Sequence, residues 1–119
     1  MPQESGSVNA LREAIVEIRF TGGYALNCVV DTGFDGALVV PAFVAQHVGL
    51  PVVARLAFEL VGGARMSADV ALGEIEWLGQ DRIVEVILSR GNDALIGTEM
   101  LEGAKLIVDY ANRLTTISR

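Results

Sequence analysis

Turn-forming residues recur along the chain at short, regular intervals, and the segments between them are long enough only for short strands. That spacing constrains the fold more than any other feature. The clearest case is Ala14–Phe20, which alternates apolar and polar residues and is rich in β-branched side chains, followed by Thr21-Gly22-Gly23 and a returning run, Tyr24–Val30. Alternation with period two marks a half-buried strand, and the paired glycines supply the positive φ angles of a tight reversal, so the segment predicts a hairpin. Further strand-like runs follow at Ala37–Val40, Leu56–Val61, Ala64–Ile75, Arg82–Leu88, Ala94–Ile96, Lys105–Tyr110 and Leu114–Ser118. Pro41 to Gly49 suits one or two helical turns, with proline at the start and glycine at the end. Thr98–Glu102 suits another, with Thr98 as N-cap. The pattern predicts an all-β domain, closed or sandwiched, with one or two short helices. Residues 1–10 are small and polar and predict a flexible tail, leaving residues 11–119 as a single domain. Asp35-Gly36-Ala37-Leu38-Val39 and Asn92-Asp93-Ala94-Leu95-Ile96 echo each other faintly, as two similar halves would.

Composition narrows the chemistry. The chain of 119 residues carries a net charge of −6, which argues against a nucleic-acid partner. It holds no run of about 20 apolar residues that would span a membrane, and its polar start is no signal peptide, so a cytoplasmic protein is expected. One cysteine, Cys28, and one histidine, His47, exclude an intrachain disulfide, a zinc-type cluster and a Cys/His catalytic pair. Neither metal nor cofactor is expected. Carboxylates, hydroxyls and backbone groups are left to carry any reaction.

Asp31-Thr32-Gly33 is the informative site. It lies between two strongly apolar runs, Cys28-Val29-Val30 and Ala37–Val40. A carboxylate at the end of such a strand is expensive to bury unless hydrogen-bonded or used. Taken alone, Asp-Thr-Gly is most often an ordinary turn. The other candidates read more simply: Gly62-Gly63 as a hairpin turn, Asp93 and Asp109 as turn or capping groups, His47 as a rim residue, Trp77 and Phe58 as packing, and Cys28 as a small buried apolar residue.

The flanking residues change the weight of that triplet. The run Val29-Val30-Asp31-Thr32-Gly33-Phe34-Asp35-Gly36-Ala37-Leu38-Val39-Val40-Pro41 resembles the active-site segment of retropepsin-like aspartic proteases, and is closest to small prokaryotic members with an aromatic residue after the glycine. Ala94-Leu95-Ile96-Gly97 with the following helical turn is similar to the family's hydrophobic-hydrophobic-glycine element, and Lys105–Tyr110 to its ending. Phe58–Ala64 lies where the family has a glycine-tipped flap. Retroviral members place an arginine directly after the second element's glycine; here that position is Thr98, so Asp35 lacks the partner it has in those members.

The resemblance implies a closed β-barrel domain that works as a homodimer and hydrolyses peptide bonds. Asp31 would be the catalytic carboxyl, with Thr32 and Gly33 supporting the active-site loop. Gly33, Phe34, Asp35, Val61, Gly62 and Gly63 would meet an extended peptide or protein substrate. Hydrolysis by this route needs two carboxylates sharing a proton. The chain has one Asp-Thr-Gly, so the second aspartate must come from another copy related by a two-fold axis. By the same resemblance Leu114–Ser118 would interleave with strands of the partner. The rival reading is a non-catalytic dimeric module that binds peptides in the same groove.

Overall fold

The computed structural model describes residues 2–119. Ten strands form one continuous sheet: β1 (Gln3–Val8), β2 (Ala14–Phe20), β3 (Ala25–Val30), β4 (Leu38–Pro41), β5 (Val52–Glu59), β6 (Arg65–Trp77), β7 (Gln80–Ser89), β8 (Leu95–Ile96), β9 (Lys105–Asp109) and β10 (Leu114–Ser118). One helix, α1 (Ala42–Val48), and one 3-10 turn, Thr98–Leu101, complete the chain. The strand order is β5-β6-β7-β4-β8-β3-β2-β1-β10-β9, and β6 also pairs with β2 through Arg19↔Glu76 and Phe20↔Ile75. That extra pairing closes a barrel, β2-β3-β8-β4-β7-β6, so the expected all-β closed architecture is present. Two units project from it: the β5–β6 hairpin, and the three-stranded β1-β10-β9.

The alternation read in Ala14–Phe20 works as expected. Val16, Ile18 and Phe20 turn inward, joining Leu38, Val40, Ile75, Trp77, Val86, Ile96, Met100 and Ile117 in one core. Trp77 is fully buried and its indole N–H donates to the Met100 carbonyl oxygen at 3.0 Å, tying the end of β6 to the 3-10 turn. Cys28 is buried, and burial pushes its thiol up to about 12. His47 is exposed on α1, its ring 5.2 Å from that of Tyr24. The two faintly similar segments meet as antiparallel neighbours, Leu38↔Ile96 and Val39↔Leu95.

Two expectations are corrected. Most of the stretch read as a flexible tail over residues 1–10 is strand β1, paired on one side with β2 and on the other with β10. The cause is long-range. The buried Glu4 carboxylate accepts from the Arg19 guanidinium at 3.1 Å and from the Leu78 backbone N–H at 2.9 Å. Within the chain Leu114–Ser118, as β10, is paired on both edges, with β1 and with β9. Thr98 is not an N-cap: Gly97 occupies that position in extended conformation, and no side chain caps the turn.

Candidate active site

Asp31 directly follows β3, and the loop it opens is held from outside as well as by its own turn. Strand β8 threads between β3 and β4, parallel to the first (Val29↔Leu95, Val30↔Ile96) and antiparallel to the second. The segment Ala94–Glu99 then grips the loop through five backbone hydrogen bonds. Val29 and Asp31 donate to Ala94 and Ile96 at 2.8 and 2.9 Å. Gly97 donates to Ala37, Thr98 to Phe34 and Glu99 to Gly36, at 2.8, 2.8 and 3.2 Å. The two sequence elements singled out separately are thus one structural unit.

Gly97 is required there. A methyl group at that position would run into the Gly36 carbonyl oxygen and the Phe34 ring. Within the loop, Asp31 Oδ1 accepts the Gly33 N–H at 2.9 Å and the Asp31 carbonyl accepts the Phe34 N–H at 3.2 Å, fixing the carboxyl relative to its own backbone. Asp31 is half-buried, with Thr32 and Gly33 exposed beside it. A carboxyl oxygen oriented by a backbone N–H, on a loop clamped from behind, is held ready to meet a group arriving from outside the chain.

Two hollows flank this loop. One, of about 520 Å³, is bordered by Asp31, Thr32, Val29, Leu95 and, from β9 and the turn after it, Leu106, Val108 and Tyr110. The other is an apolar groove of about 620 Å³ between the loop and the β5–β6 hairpin. Phe34 and Asp35 line it from one side, Leu56, Phe58 and Met66 from the hairpin, and Val39, Ile87 and Leu88 along its floor. Arg90 and Asp93 stand in its wall. Asp35 is exposed and belongs to none of the three ion pairs among the described residues.

Of the residues expected to meet substrate, the structure gathers Gly33, Phe34 and Asp35 on the Asp31 loop. Val61, Gly62 and Gly63 lie at the tip of the β5–β6 hairpin, with φ of +97° and +85° at the two glycines, and they do not line the groove. Leu56, Met66, Ile87, Leu88 and Arg90 do line it and were not singled out in the sequence. Their signal is faint: exposed apolar residues on β5 and β6 that alternate without a core to face. Among the described residues no helix is long and apolar enough to cross a membrane.

No family model matches the chain. A protein of Archaeoglobus fulgidus with no characterised function is 29% identical over 116 residues, covering 91% of this chain and 88% of that one. Solved structures are more informative. The retropepsin-like aspartic protease from Rickettsia conorii superposes with a TM-score of 0.65 at 15% identity, over 97% of this chain and 89% of that one. The EIAV protease, in complex with the inhibitor HBY-793, gives 0.64 at 18% identity over 86% and 99% of the two chains. The simian foamy virus protease gives 0.55 at 19% over 74% and 91%. On the strength of this architecture, with the Asp31 loop braced by β8 at its centre, the chain has the retropepsin-like fold.

Proposed function

We propose that the protein is an aspartic endopeptidase whose active site forms only when two copies meet, each giving one Asp31. The observation that carries this is Asp31-Thr32-Gly33 on a half-buried loop clamped by Ala94–Glu99, beside an apolar groove, in a chain of retropepsin-like fold. A single copy has one such carboxyl, and hydrolysis by a pair of carboxyls sharing a proton needs two.

In the reaction, one Asp31 carboxylate takes a proton from a water molecule while the water oxygen bonds to the scissile carbonyl carbon. The protonated Asp31 of the other copy gives its proton to the carbonyl oxygen, producing a tetrahedral diol. Collapse re-forms the carbonyl, breaks the C–N bond and delivers a proton to the leaving nitrogen. Like charges this close cannot both ionise cheaply, which keeps one proton on the pair. Thr32 ties the two loops together, and Gly33 offers backbone to an extended peptide. Phe34 and Asp35 border the groove on one side; Val61, Gly62 and Gly63 close over it as the flap tip. The peptide lies as an added strand between loop and flap. The substrate is peptide or protein and the site is water-exposed, in keeping with a soluble, cytoplasmic enzyme that needs neither metal nor cofactor.

The test compares wild type with Asp31→Asn on an unfolded protein substrate across pH. Wild type is expected to cleave best in mild acid and to fail in alkali, where the pair loses its shared proton. Asp31→Asn is expected to fold and dimerise but lose at least a hundredfold in rate, the low end of what a positioned acid–base group contributes. Equal cleavage by the variant removes Asp31 from the mechanism. Failure of the wild type at every pH leaves a peptide-binding module.

A further inference from the structure

The outer face of the β6–β7 hairpin carries an apolar spot that neither the core nor the Asp31 groove uses. Alternation puts Leu72, Glu74 and Glu76 of β6 on that face, and the register sets Glu85, Ile83 and Asp81 of β7 opposite them in turn. Ile83 is 70% exposed. Beside it lies a hollow of about 390 Å³ whose apolar lining is Val48, Leu50, Pro51, Leu72 and Ile83. The walls of this hollow are tied to its floor: the Leu72 N–H donates to the Pro51 carbonyl at 3.0 Å and the Thr21 N–H to the Glu74 carbonyl at 2.9 Å. The hollow is formed before anything enters it.

Carboxylates surround Ile83 on this face. Glu74 stands opposite it, and Asp81 and Glu85 stand two residues away on either side along β7, all three exposed. Glu76 stands directly opposite Asp81, a like-charge pairing that is unfavourable in a sheet. The cation that the register brings to this group is Arg19, opposite Glu76, and it is shared between Glu4 at 3.1 Å and Glu76 at 3.6 Å. Arg82 is in register with Ile75 and so turns to the other face. Glu74, Asp81 and Glu85 belong to no ion pair among the described residues. An apolar centre inside a polar rim is the anatomy of a protein-binding patch, and a rim of one sign selects the charge of its partner. Phosphate-bearing partners, whether nucleic acid or an anionic membrane, are repelled by such a rim. A second copy meeting this face about a two-fold axis would bring the same carboxylates.

We propose that this face docks a basic segment of another protein, which places a large apolar side chain in the hollow beside Ile83 and lysine or arginine side chains against Glu74, Asp81 and Glu85. The hollow shares no lining residue with the Asp31 groove, so its occupancy is independent of the peptidase reading.

Fluorescence anisotropy with a labelled peptide, Gly-Lys-Lys-Phe-Lys-Lys-Gly, and the full chain tests this. The assay is run at about pH 8, where the carboxylates are charged and the peptidase reading expects no cleavage. A second peptide with serine for phenylalanine reads charge alone, and a third with glutamate for every lysine reads the apolar contact alone. The first peptide is expected to bind about tenfold more tightly than either control, the effect of burying one aromatic side chain. Ile83→Ser should weaken it about fivefold, as loss of a central contact does, and leave the serine peptide unchanged. Glu74→Gln combined with Glu85→Gln should weaken it about as much and flatten its salt dependence. Glu99→Gln combined with Glu102→Gln removes the same charge from another part of the surface and should change binding less than about twofold. All the substituted side chains are exposed, and Trp77 fluorescence checks that each variant is folded. Equal binding of the first two peptides, or indifference to Ile83→Ser, leaves only general attraction to a chain of net charge −6 and overturns the proposal. So does a larger loss from the Glu99 and Glu102 substitutions, or no binding at all.

Discussion

Replacing Glu4 with alanine should destabilise the whole domain, although Glu4 lies four residues from the start of the chain and far from Asp31 in sequence. Its carboxylate is 4% exposed and has two donors, Arg19 and the Leu78 backbone N–H. Leu78 is itself under constraint. It is buried and adopts φ +49° in the two-residue turn with Gly79 that joins β6 to β7, a left-handed conformation that costs a leucine roughly 1–2 kcal/mol. Truncating Glu4 leaves the Leu78 N–H without an acceptor, about 1–3 kcal/mol, and removes a charge-assisted bond from Arg19 worth about 1.5–3 kcal/mol. The Arg19 side chain is 37% exposed and has Glu76 at 3.6 Å as a second partner, so the lower end applies to that bond. The expected loss is about 2.5–4.5 kcal/mol. Glu4→Gln keeps a carbonyl oxygen for Leu78 and should lose about half as much. Urea unfolding followed by the fluorescence of the single tryptophan, Trp77, measures both, at one fixed protein concentration because subunit association adds to stability. A Glu4→Ala midpoint equivalent to less than about 0.5 kcal/mol, within the range of ordinary surface substitutions, would refute the anchoring role.

Gly97→Ala should cost about 3 kcal/mol or more and reduce peptidase activity with it, since the added methyl meets backbone, which yields less readily than a side chain; urea midpoints and the cleavage assay check this, and a variant of normal stability and rate would show the loop clamp to be soft. Asp109 accepts from the Asn112 side chain and from the backbone N–H groups of Asn112 and Ala111, which holds its carboxyl below its ordinary value of 3.8. A carboxyl depressed on folding contributes stability that is fully present above pH 3.8 and is lost as pH falls through the lower folded value. Asp109→Ala should therefore be less stable than wild type at neutral pH, the gap closing as the pH is taken progressively below 3.8; a gap independent of pH would rule the carboxylate out as its source.

What could be read in the sequence was local. The hairpin at residues 14–30, the helix after Pro41 and the Asp31 loop each carry their signal within a few neighbours: alternation, a proline, a pair of glycines. Strand β1 carries none. Gln3-Glu4-Ser5-Gly6-Ser7-Val8 has one large apolar residue, and its order comes from Arg19, 15 residues on, and Leu78, 74 residues on. The turn at Leu78-Gly79 was hidden for a related reason, since leucine is a poor left-handed residue and is held there by burial. Of the groove's lining only Phe34 and Asp35 were legible as contact residues, because Leu56, Met66 and Ile87 come together from three different strands.

The arrangement divides labour between a fixed floor and a loosely held roof. The Asp31 loop is bonded to Ala94–Glu99 on one side and continues into β4, whose Leu38 and Val40 are in the core. Displacing it would break five backbone bonds and disturb β8, which has the barrel on both flanks. The β5 strand, in contrast, pairs only with β6, and every one of its eight residues is exposed. Its hairpin tip is closed by two backbone bonds, Leu60 to Ala64 and Gly63 to Leu60. Opening that hairpin separates Leu56, Phe58 and Met66 from the loop without unpacking the core. Segments with few buried contacts are the ones that open locally, which under the peptidase reading would admit a peptide to an Asp31 loop that stays fixed. The sequence assigns rigidity to the half that carries Asp31 and leaves freedom to the hairpin over the groove.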